Sequence, residues 1–404
     1  MSTPLVRVGD LATQIRGVTY GKSDASKSPS PGNLPVLRAG NITDDGLTFD
    51  DLVYVPSERI SKKQMIRKHD VVIAASSGSL SVVGKAAASP IDLEGGFGAF
   101  CKVLRPSTKV DPTYFAQFFQ TPDYRRRISA LAAGANINNL RSEHLDELQI
   151  PLPPLPEQRR IGEVLDRAEA LRAKRRAALT QLDSLTQSIF LDMFGDPAAN
   201  PKKWPIKSLG EVAREPANNG IFRKNHEYDD AGETGIPVAW VADLFRGDSI
   251  DVSASRRLVP TKTEMSKFGL SYGDLLFCRS SLKLDGIAFN SVYLGEAGQA
   301  LFECHIIRIR PDMNAVSPIY LNRLLRLPQM RAIAKSKSKT ATMTTIDQTS
   351  LCSIPVIVPP LILQQTFAHR ITAIETLKTT HRAALVELDT LFASLQHRAF
   401  RGKL

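Results

Sequence analysis

The sequence predicts an α+β protein in which two similar mixed α/β globular domains alternate with two long α-helices that pair as an antiparallel coiled coil. The first observation is an internal repeat: "RAALTQLDSL" (176–185) returns as "RAALVELDTL" (382–391), 206 positions later. The second is that both copies lie in long proline-free segments whose apolar residues alternate in steps of three and four. The third is a fainter repeat of short apolar, β-branched runs between Gly/Ser turns, which predicts strands in both intervening blocks.

Length and composition limit the classes of protein to which the chain can belong. Its 404 residues favour two or three domains, and a hydrophobic content of 43% allows buried cores. The sequence has no run of 18 apolar residues and no basic, apolar leader, so we expect neither a membrane span nor a secretory signal. Four cysteines without paired spacing indicate reduced thiols in a cytoplasmic protein. A net charge of +11 favours a polyanionic partner without identifying it.

The two globular domains are predicted over residues 1–150 and 198–353. In the first, "DVVIAAS" (70–76) predicts a buried strand, and the aromatic-rich run that begins "PTYF" (112–115) predicts a helix. In the second, "DLLFCRS" (274–280) and "PIYL" (318–321) occupy the corresponding places. Each domain is therefore expected to have the same mixed α/β fold.

The first long helix is predicted within a spacer segment over residues 151–197. It is entered through prolines and ended by "GDP" (195–197), because glycine suits a helix C-terminus and proline cannot continue the helix. The second is predicted within residues 354–404. The apolar positions that recur along each helix form a seam. One position of this seam is not apolar in either copy: it is Arg175 in the first helix and His381 in the second. Either these side chains reach out to solvent, which is the interpretation we prefer, or they set the register of the pair. The predicted seam of the first helix comprises Val164, Ala168, Leu171, Ala178, Leu182, Leu185 and Ile189.

The segment "IPLPPLPEQRRIGEVLDRAEALRAKRRAALTQLDSL" (150–185) resembles the central conserved region of the specificity (S) subunits of Type I restriction–modification systems. Its second copy resembles their distal conserved region, and the likeness covers essentially the whole chain. The resemblance implies a non-catalytic subunit whose two target recognition domains each read one half of a gapped double-stranded DNA target. Because the two domains differ in sequence, the target is expected to be asymmetric.

The resemblance also implies partners. Two methyltransferase (M) subunits would dock on this chain, restriction (R) subunits would join that core, and S-adenosylmethionine, ATP and Mg²⁺ would bind only to those partner subunits. Glu157, Gln158 and Gln364 are the predicted docking residues. Leu363 stands where the second copy should carry a glutamate, so the two docking sites are expected to be unequal if Glu157 contributes.

Two loops in each domain carry the polar and basic residues expected at a DNA interface. Asn and Arg can contact adenine and guanine edges, whereas Lys more often contacts phosphate. The alternative is that each residue is an ordinary solvated or turn residue. Candidates in the first domain are Ser76, Ser77, Ser79, Lys85, Asn136, Asn138, Asn139 and Arg141, with Arg125 and Arg126 expected along the DNA backbone. Candidates in the second are Arg279, Ser280, Ser281, Lys283, Lys335, Lys337, Lys339, Thr340 and Thr342.

Catalysis by the chain itself is the rival interpretation. "EGGFGAF" (94–100) and "DPTYF" (111–115) lack the residues of a methyltransferase's nucleotide and flipped-base loops, so both are predicted to be structural turns. The sequence has no ATP-binding loop and no metal-ligand spacing, and the adjacent Cys304 and His305 are predicted to lie in the core. The alternative function is a free-standing DNA-binding or scaffolding protein without a methyltransferase partner. A methyltransferase and a translocase encoded nearby would decide against it.

Overall fold

The computed structural model describes residues 3–132, 138–340 and 342–404, and it divides into two compact units. The first unit comprises residues 1–178 and 381–404, and the second comprises residues 179–380. Each unit holds one globular domain and part of both long helices. The predicted domain borders at 150, 197 and 353 stay predictions. Within the described residues, no helix is long and apolar enough to cross a membrane.

The first unit contains a four-stranded antiparallel sheet and a three-stranded mixed sheet. Its strands are β1 (Leu5–Arg7), β2 (Ala12–Arg16), β3 (Asn33–Leu37), β4 (Ile42–Thr43), β5 (Gly46–Leu47), β6 (Val53–Pro56), β7 (Val71–Ala74), β8 (Ser76–Ser77), β9 (Ala86–Ala88), β10 (Gly96–Phe97), β11 (Cys101–Pro106), β12 (Asn138–Asn139) and β13 (Gln149–Pro151). Its helices are α1 (Val8–Leu11), α2 (Pro112–Phe118), α3 (Pro122–Ala132), α4 (Ser142–Asp146) and the first part of α5 (Leu155–Phe194). The strand orders are β2-β11-β7-β9 and β10-β3-β6, with β10 parallel to β3.

The second unit repeats this plan. Its strands are β14 (Ile206–Ser208), β15 (Asn218–Asn219), β16 (Ile236–Ala239), β17 (Arg257–Leu258), β18 (Leu275–Cys278), β19 (Ser280–Ser281), β20 (Asn290–Val292), β21 (Leu301–Phe302), β22 (Ile306–Ile309), β23 (Lys339–Thr340), β24 (Thr344–Thr345) and β25 (Pro355–Ile357). Its helices are α6 (Lys262–Phe268), α7 (Pro318–Arg326), α8 (Pro328–Ser336), α9 (Gln348–Cys352) and the first part of α10 (Leu361–Ala399). The strand orders are β15-β22-β18-β20 and β17-β16-β21, with β21 parallel to β16.

A buried ion pair anchors the central strand of each four-stranded sheet. Every residue of β7 and of β18 is buried, as the continuous apolar runs predicted. The aspartate before β7, Asp70, accepts two hydrogen bonds from Arg105, at 2.8 and 2.7 Å. Asp274, before β18, accepts two from Arg310, at 2.7 and 2.8 Å. Bidentate geometry of this kind fixes orientation as well as charge balance.

The two sequence runs predicted to be structural turns form regular structure instead, the start of a helix and a strand. In "DPTYF", Asp111 caps α2 by accepting the backbone N–H groups of Thr113 and Tyr114, and Pro112 begins the helix. In "EGGFGAF", Gly96–Phe97 is the parallel strand β10. Both segments therefore serve the fold.

The long helices pair antiparallel in each unit, as predicted. In the first unit, Arg172 forms an ion pair with Asp389 at 2.6 Å. In the second unit, Lys378 forms one with Asp183, also at 2.6 Å. Arg172 and Lys378 are counterparts in the repeat, as are Asp183 and Asp389, so the two units use the same contact. The first helix ends at Phe194 before Gly195, whose φ of +80° is the left-handed conformation that glycine adopts readily.

The predicted seam of the first helix is wrong at two positions. Leu171 and Leu185 are 52% and 45% exposed, whereas Leu165 and Thr186 are buried. The cause is that each helix packs against a globular domain as well as against its partner helix. Leu165, for example, belongs to the same core cluster as Tyr114. A heptad pattern does not show which apolar stripe the domain covers.

Candidate nucleic-acid interface

The two predicted loops of the first domain meet in a short two-stranded ladder. β8 follows the buried strand β7 after a single residue, and it pairs antiparallel with β12, so that Ser76 faces Asn139 and Ser77 faces Asn138. The backbone N–H of Leu140 donates to the carbonyl of the residue before β8 at 2.8 Å, and the Leu140 side chain is buried. This buried leucine anchors the ladder to the core.

The second domain builds the same ladder and adds a strand. Ser280 faces Thr345 and Ser281 faces Thr344 across β19 and β24, and β24 also pairs with β23. Ile346 is buried, and its N–H donates to the carbonyl of the residue before β19 at 3.0 Å, as Leu140 does in the first domain. Loops that are about 60 residues apart in sequence are thus joined in the same way in both domains.

We term these surfaces the polar edges. The first polar edge consists of Ser76, Ser77, Ser79, Asn139 and Arg141, and the second consists of Ser280, Ser281, Lys283, Lys339, Thr340 and Thr342. The exposed members are Ser79, Asn139, Arg141, Lys283, Lys339, Thr340 and Thr342. The partly buried candidates are Ser76, Ser77, Arg279, Ser280, Ser281 and Lys337. Asn136 lies outside the described residues, and only the backbone of Asn138 is described.

Two predicted DNA-binding lysines form ion pairs within their own domains. Lys85 lies 2.9 Å from Asp44, and Lys335 pairs with Asp285. Both lysine side chains are partly buried, whereas both aspartates are largely exposed. For either lysine to contact a phosphate, its ion pair would have to open or the ammonium group would have to bind the aspartate and the phosphate together. The structure therefore supports a DNA contact less strongly for these two lysines than for the exposed Lys283 and Lys339.

The predicted backbone-tracking arginines have different surroundings. Arg125 donates to the carbonyls of Val83 and Ser81, both at 2.9 Å, and so holds the loop after β8. Its counterpart Arg331 donates in the same way to two carbonyls of the corresponding loop in the second domain. Arg126 is exposed and pairs with an aspartate of its own helix. The structure therefore gives Arg125 a positioning role and leaves Arg126 at the surface.

A concave pocket lies beside each polar edge, and the sequence did not indicate it. Phe100, 69% exposed, borders the first pocket, and Leu282, 83% exposed, borders the second. Exposed apolar side chains beside polar loops can contact bases. The first cavity, about 500 Å³, is lined by residues that include Tyr20, Arg38, Ser76 and Phe100. The second, about 810 Å³, is lined by residues that include Trp240, Phe245, Ser281, Leu282 and Phe289.

The prediction that Cys304 and His305 lie in the core is wrong. His305 is exposed and Cys304 is partly buried, because they form the turn between β21 and β22. Nδ1 of His305 lies 2.8 Å from Oε2 of the buried Glu303. Glu303, Cys304 and His305 each offer one atom that could ligate a metal ion, and these atoms lie within 4.8 Å of one another. They line the second pocket through Glu303 and His305, which adds a polar wall to it.

Two of the predicted docking residues are buried. Gln158 accepts the N–H of Asp111 at 2.8 Å and donates to the carbonyl of Pro153 at 2.7 Å. Gln364 repeats both bonds, at 2.9 Å to Ser317 and at 2.7 Å to the equivalent proline. Since both amides are satisfied inside the chain, their placement supports a structural role at the helix entrances and does not support contact with a partner.

Glu157 is the one predicted docking residue that stays accessible. Arg160 donates two hydrogen bonds to its carboxylate, at 2.9 and 2.7 Å, and these bonds lower the pKa of Glu157. The Arg160 guanidinium also donates to the backbone carbonyl of Leu404 at 2.9 Å. Glu157 therefore presents a charged carboxylate at the start of α5.

Comparison with known proteins agrees with this architecture. Residues 5–181 match the family model of the Type I restriction modification DNA specificity domain. The chain is 31% identical to the Type I restriction enzyme StySPI specificity subunit of Salmonella potsdam and 32% identical to the EcoKI specificity subunit of Escherichia coli (strain K12), in each case over 98% of this chain and 88% of the relative. The crystal structure of the S subunit of a Type I restriction–modification system from M. genitalium shares the fold, with a TM-score of 0.61 at 14% identity over 98% of this chain and 96% of that one.

The matches to the two relatives and to the S subunit structure cover 98% of the chain, and so both domains and both long helices, and they do not depend on one motif. They confirm the resemblance that the repeated helical segments indicated. The chain belongs to the family of Type I restriction enzyme specificity subunits, which are non-catalytic.

Proposed function

We propose that this chain is the cytoplasmic subunit that selects the DNA sequence for a Type I restriction–modification complex, with each polar edge contacting one half of a gapped, asymmetric duplex target. Residues 1–150 and 198–353 serve as the two recognition domains, and residues 151–197 and 354–404 serve as the spacer helices. The observation that carries the proposal is the repeated ladder. The same backbone pairing occurs in both domains, whereas the side chains on it differ.

The chemistry of the two edges suits different half-sites. The first edge offers the amide of Asn139 and the guanidinium of Arg141, which can form paired hydrogen bonds with adenine and guanine edges. The second offers the ammonium groups of Lys283 and Lys339 and the hydroxyl of Thr340, a set that favours phosphate contacts with fewer base contacts. Family membership places this recognition within a complex and does not favour a free-standing scaffold.

Methylation patterns in cells test the proposal. Cells carrying the whole system would express the native chain or a variant with Asn139→Ala and Arg141→Ala, and the methylated motif would be determined by long-read sequencing. One half of the motif should become relaxed while the other stays unchanged. Lys62→Ala with Lys63→Ala, exposed residues of the same domain away from the polar edge, is the matched control. A change in both halves, or an unchanged motif in cells with intact methylation, would contradict the proposal.

The helices offer two equivalent surfaces on which methyltransferase subunits can dock. In the first unit, Leu171 of α5 and Leu391 of α10 are 52% and 50% exposed. In the second, Leu185 and Leu377, their counterparts in the repeat, are 45% and 51% exposed. Exposed leucines that recur at equivalent positions are typical of an interface. The partner subunits, and not this chain, would bring S-adenosylmethionine, ATP and Mg²⁺, and restriction subunits would join afterwards.

The subunit ratio tests this second part. Replacing Leu171 and Leu391 by Glu should reduce the bound methyltransferase subunits from two to one, as measured by native mass spectrometry. Replacing Leu185 and Leu377 should do the same at the other surface, and all four changes together should abolish binding. A ratio that stays at two in the fourfold variant would rule out these surfaces.

A further inference from the structure

The first unit contains a basic cavity apart from the first polar edge, and of the predicted DNA contacts only Arg126 lines it. It measures about 290 Å³ and lies between α3, β13 and the last turns of α10. Its basic and acidic lining residues are Arg126, Arg127, His397, Arg401 and Asp123, so three guanidinium groups outnumber the single carboxylate. Leu5, Phe118 and Phe400 supply part of an apolar wall. Its lining includes no residue of the first polar edge.

Two buried donors line the same cavity without a partner. Tyr124 is 1% exposed and Gln396 is 3% exposed. Within residues 3–132, 138–340 and 342–404, neither the Tyr124 hydroxyl nor Nε2 of Gln396 has a hydrogen-bond partner. Burial raises the pKa of Tyr124, so its hydroxyl keeps the proton that it can donate. Buried donors without acceptors destabilise a fold, and an acceptor on a bound ligand would remove this penalty.

The second unit does not repeat the cavity. The counterparts of Tyr124 and Gln396 are Met330 and Phe190, both buried in one hydrophobic cluster. The counterparts of the three arginines and His397, in the order given above, are Ala332, Ile333, Leu191 and Gly195. A feature kept only for folding would be expected in both copies of the repeat. The cavity therefore points to a ligand that binds one unit alone.

We propose that this cavity binds a carboxylate-bearing peptide segment of a partner subunit, through the hydroxyl of Tyr124, the amide of Gln396 and the surrounding arginines. The inference rests on the proposed assembly, because the segment would belong to another subunit of the complex. It would make the two docking positions chemically unequal. The missing Glu157 counterpart at Leu363 already indicates such an inequality.

The shape and lining of the cavity favour a peptide over DNA. Its volume is at the small end of the range for ligand pockets, about 300–1,000 Å³, which suits one or two side chains. Tyr124 and Gln396 are buried among its lining residues, where the convex backbone of a duplex would not reach them. The apolar wall can pack against the hydrocarbon part of a peptide, whereas it offers no hydrogen bond or charge to a phosphate.

Fluorescence anisotropy of the full-length chain tests the inference with a labelled hexapeptide, Gly-Gly-Ser-Glu-Leu-Glu, bearing a free C-terminal carboxylate. Replacing both glutamates by glutamine and amidating the C-terminus should weaken binding at least tenfold. Arg127→Ala with Arg401→Ala should weaken binding of the acidic peptide to a similar extent. Lys62→Ala with Lys63→Ala, which removes the same charge elsewhere in this domain, should leave the affinity unchanged.

Tyr124→Phe separates a ligand site from a structural defect. The variant loses only the unpaired hydroxyl, so its thermal midpoint should stay the same or rise, while peptide affinity should fall about three- to tenfold. Unchanged peptide affinity in this variant would show that the hydroxyl serves no ligand and would overturn the inference. So would equal binding of the acidic and neutral peptides, or displacement of the peptide by duplex DNA. None of these outcomes affects the methylated motif, which tests the DNA proposal separately.

Discussion

Nη1 of Arg175 lies 3.1 Å from Nδ1 of His381, the residue that occupies the same position in the second copy of the repeat. The two helices are copies of one repeat and run antiparallel. A residue can therefore face the equivalent residue of the other copy only when the helices are aligned in the register that the repeat defines. The contact between these two residues therefore shows that α5 and α10 are aligned in the register that the repeat defines. Arg175 is exposed, as the preferred interpretation expects, whereas His381 is partly buried and the two side chains contact each other, as the register-setting alternative expects.

The first prediction concerns the buried ammonium of Lys378. This side chain is 1% exposed and is paired with Asp183 at 2.6 Å and Glu375 at 2.8 Å. Asp183→Ala should lower the free energy of unfolding by about 1–3 kcal/mol, because it leaves a buried cation with less compensation. Adding Lys378→Met should recover most of the loss. Trp204 and Trp240, the only tryptophans of the sequence, both belong to the second unit, so urea unfolding followed by their fluorescence reports this change.

The second prediction separates the helix-entrance glutamine from its exposed neighbour. Gln158→Leu leaves the N–H of Asp111 and the carbonyl of Pro153 without their side-chain partner, so we expect a loss of about 2–4 kcal/mol. Glu157→Ala should change stability by less than about 0.5 kcal/mol, because the residue is at the surface. If Glu157 contributes to docking, only that variant should bind the methyltransferase subunit more weakly at unchanged stability. Equal stability of both variants would refute the structural role of Gln158.

The third prediction is a pH dependence in the second unit. Burial alone would raise the pKa of Asp248, but Arg323 and Arg326 outweigh it, and the pKa lies below its ordinary value. The ion pairs therefore contribute stability above about pH 4, where an unfolded aspartate is ionised, and this contribution is lost as pH falls further through the folded-state pKa. Asp248→Asn should cost about 3 kcal/mol at pH 7 and less at pH 3. Urea unfolding at both pH values measures the difference, and a constant difference would contradict the assignment.

The fourth prediction treats the long helices as a ruler. Four helix-forming residues inserted both after Ala178 in α5 and after Thr380 in α10 lengthen the helices where the chain passes between the units. Four residues add about 6 Å and roughly one turn, so the flanking pairs of Arg172 and Lys378 can be kept. The unspecified gap of the methylated motif should lengthen by one or two base pairs, at about 3.4 Å each, with both half-sequences unchanged.

Two controls accompany this insertion. The same four residues placed in α5 alone shift one helix against the other and should destabilise the chain. Two residues placed in both helices rotate the connection by roughly 200°, given ~100° per residue, and should largely abolish methylation. A gap that stays constant in the four-residue double insertion would show that the helices do not set the spacing.

The sequence predicted the parts of the fold that depend on local pattern and on the repeat. The first helix is predicted within residues 151–197 and is observed from Leu155 to Phe194, because its proline entry and glycine end are local signals. The buried stripe was placed wrongly at Leu171 and Leu185, because burial there depends on which face the globular domain covers.

The sequence predicts the two polar loops of each domain, but it does not predict that they pair to form one surface. That Ser76 pairs with Asn139 depends on a strand pairing across about 60 residues, which propensity and periodicity do not encode. Lys85 and Arg125 were chosen for their charge, but their partners are distant in sequence and only the folded chain brings them together. The exposed Phe100 was overlooked because a single aromatic residue in a glycine-rich turn gives no periodic signal.

The attachment of each domain to its long helix has a consequence for how such proteins acquire new specificities. Gln158 and Gln364, at the helix entrances, each accept a hydrogen bond from a backbone N–H group of the adjoining globular domain, at 2.8 and 2.9 Å. Peptide groups of this kind are present whatever side chains a domain carries. A gene segment that encodes a foreign domain with the same backbone could therefore be recombined at these junctions. The encoded domain would still form the same hydrogen bonds with the long helix. Evolution could then exchange whole recognition modules without redesigning the helices that carry them.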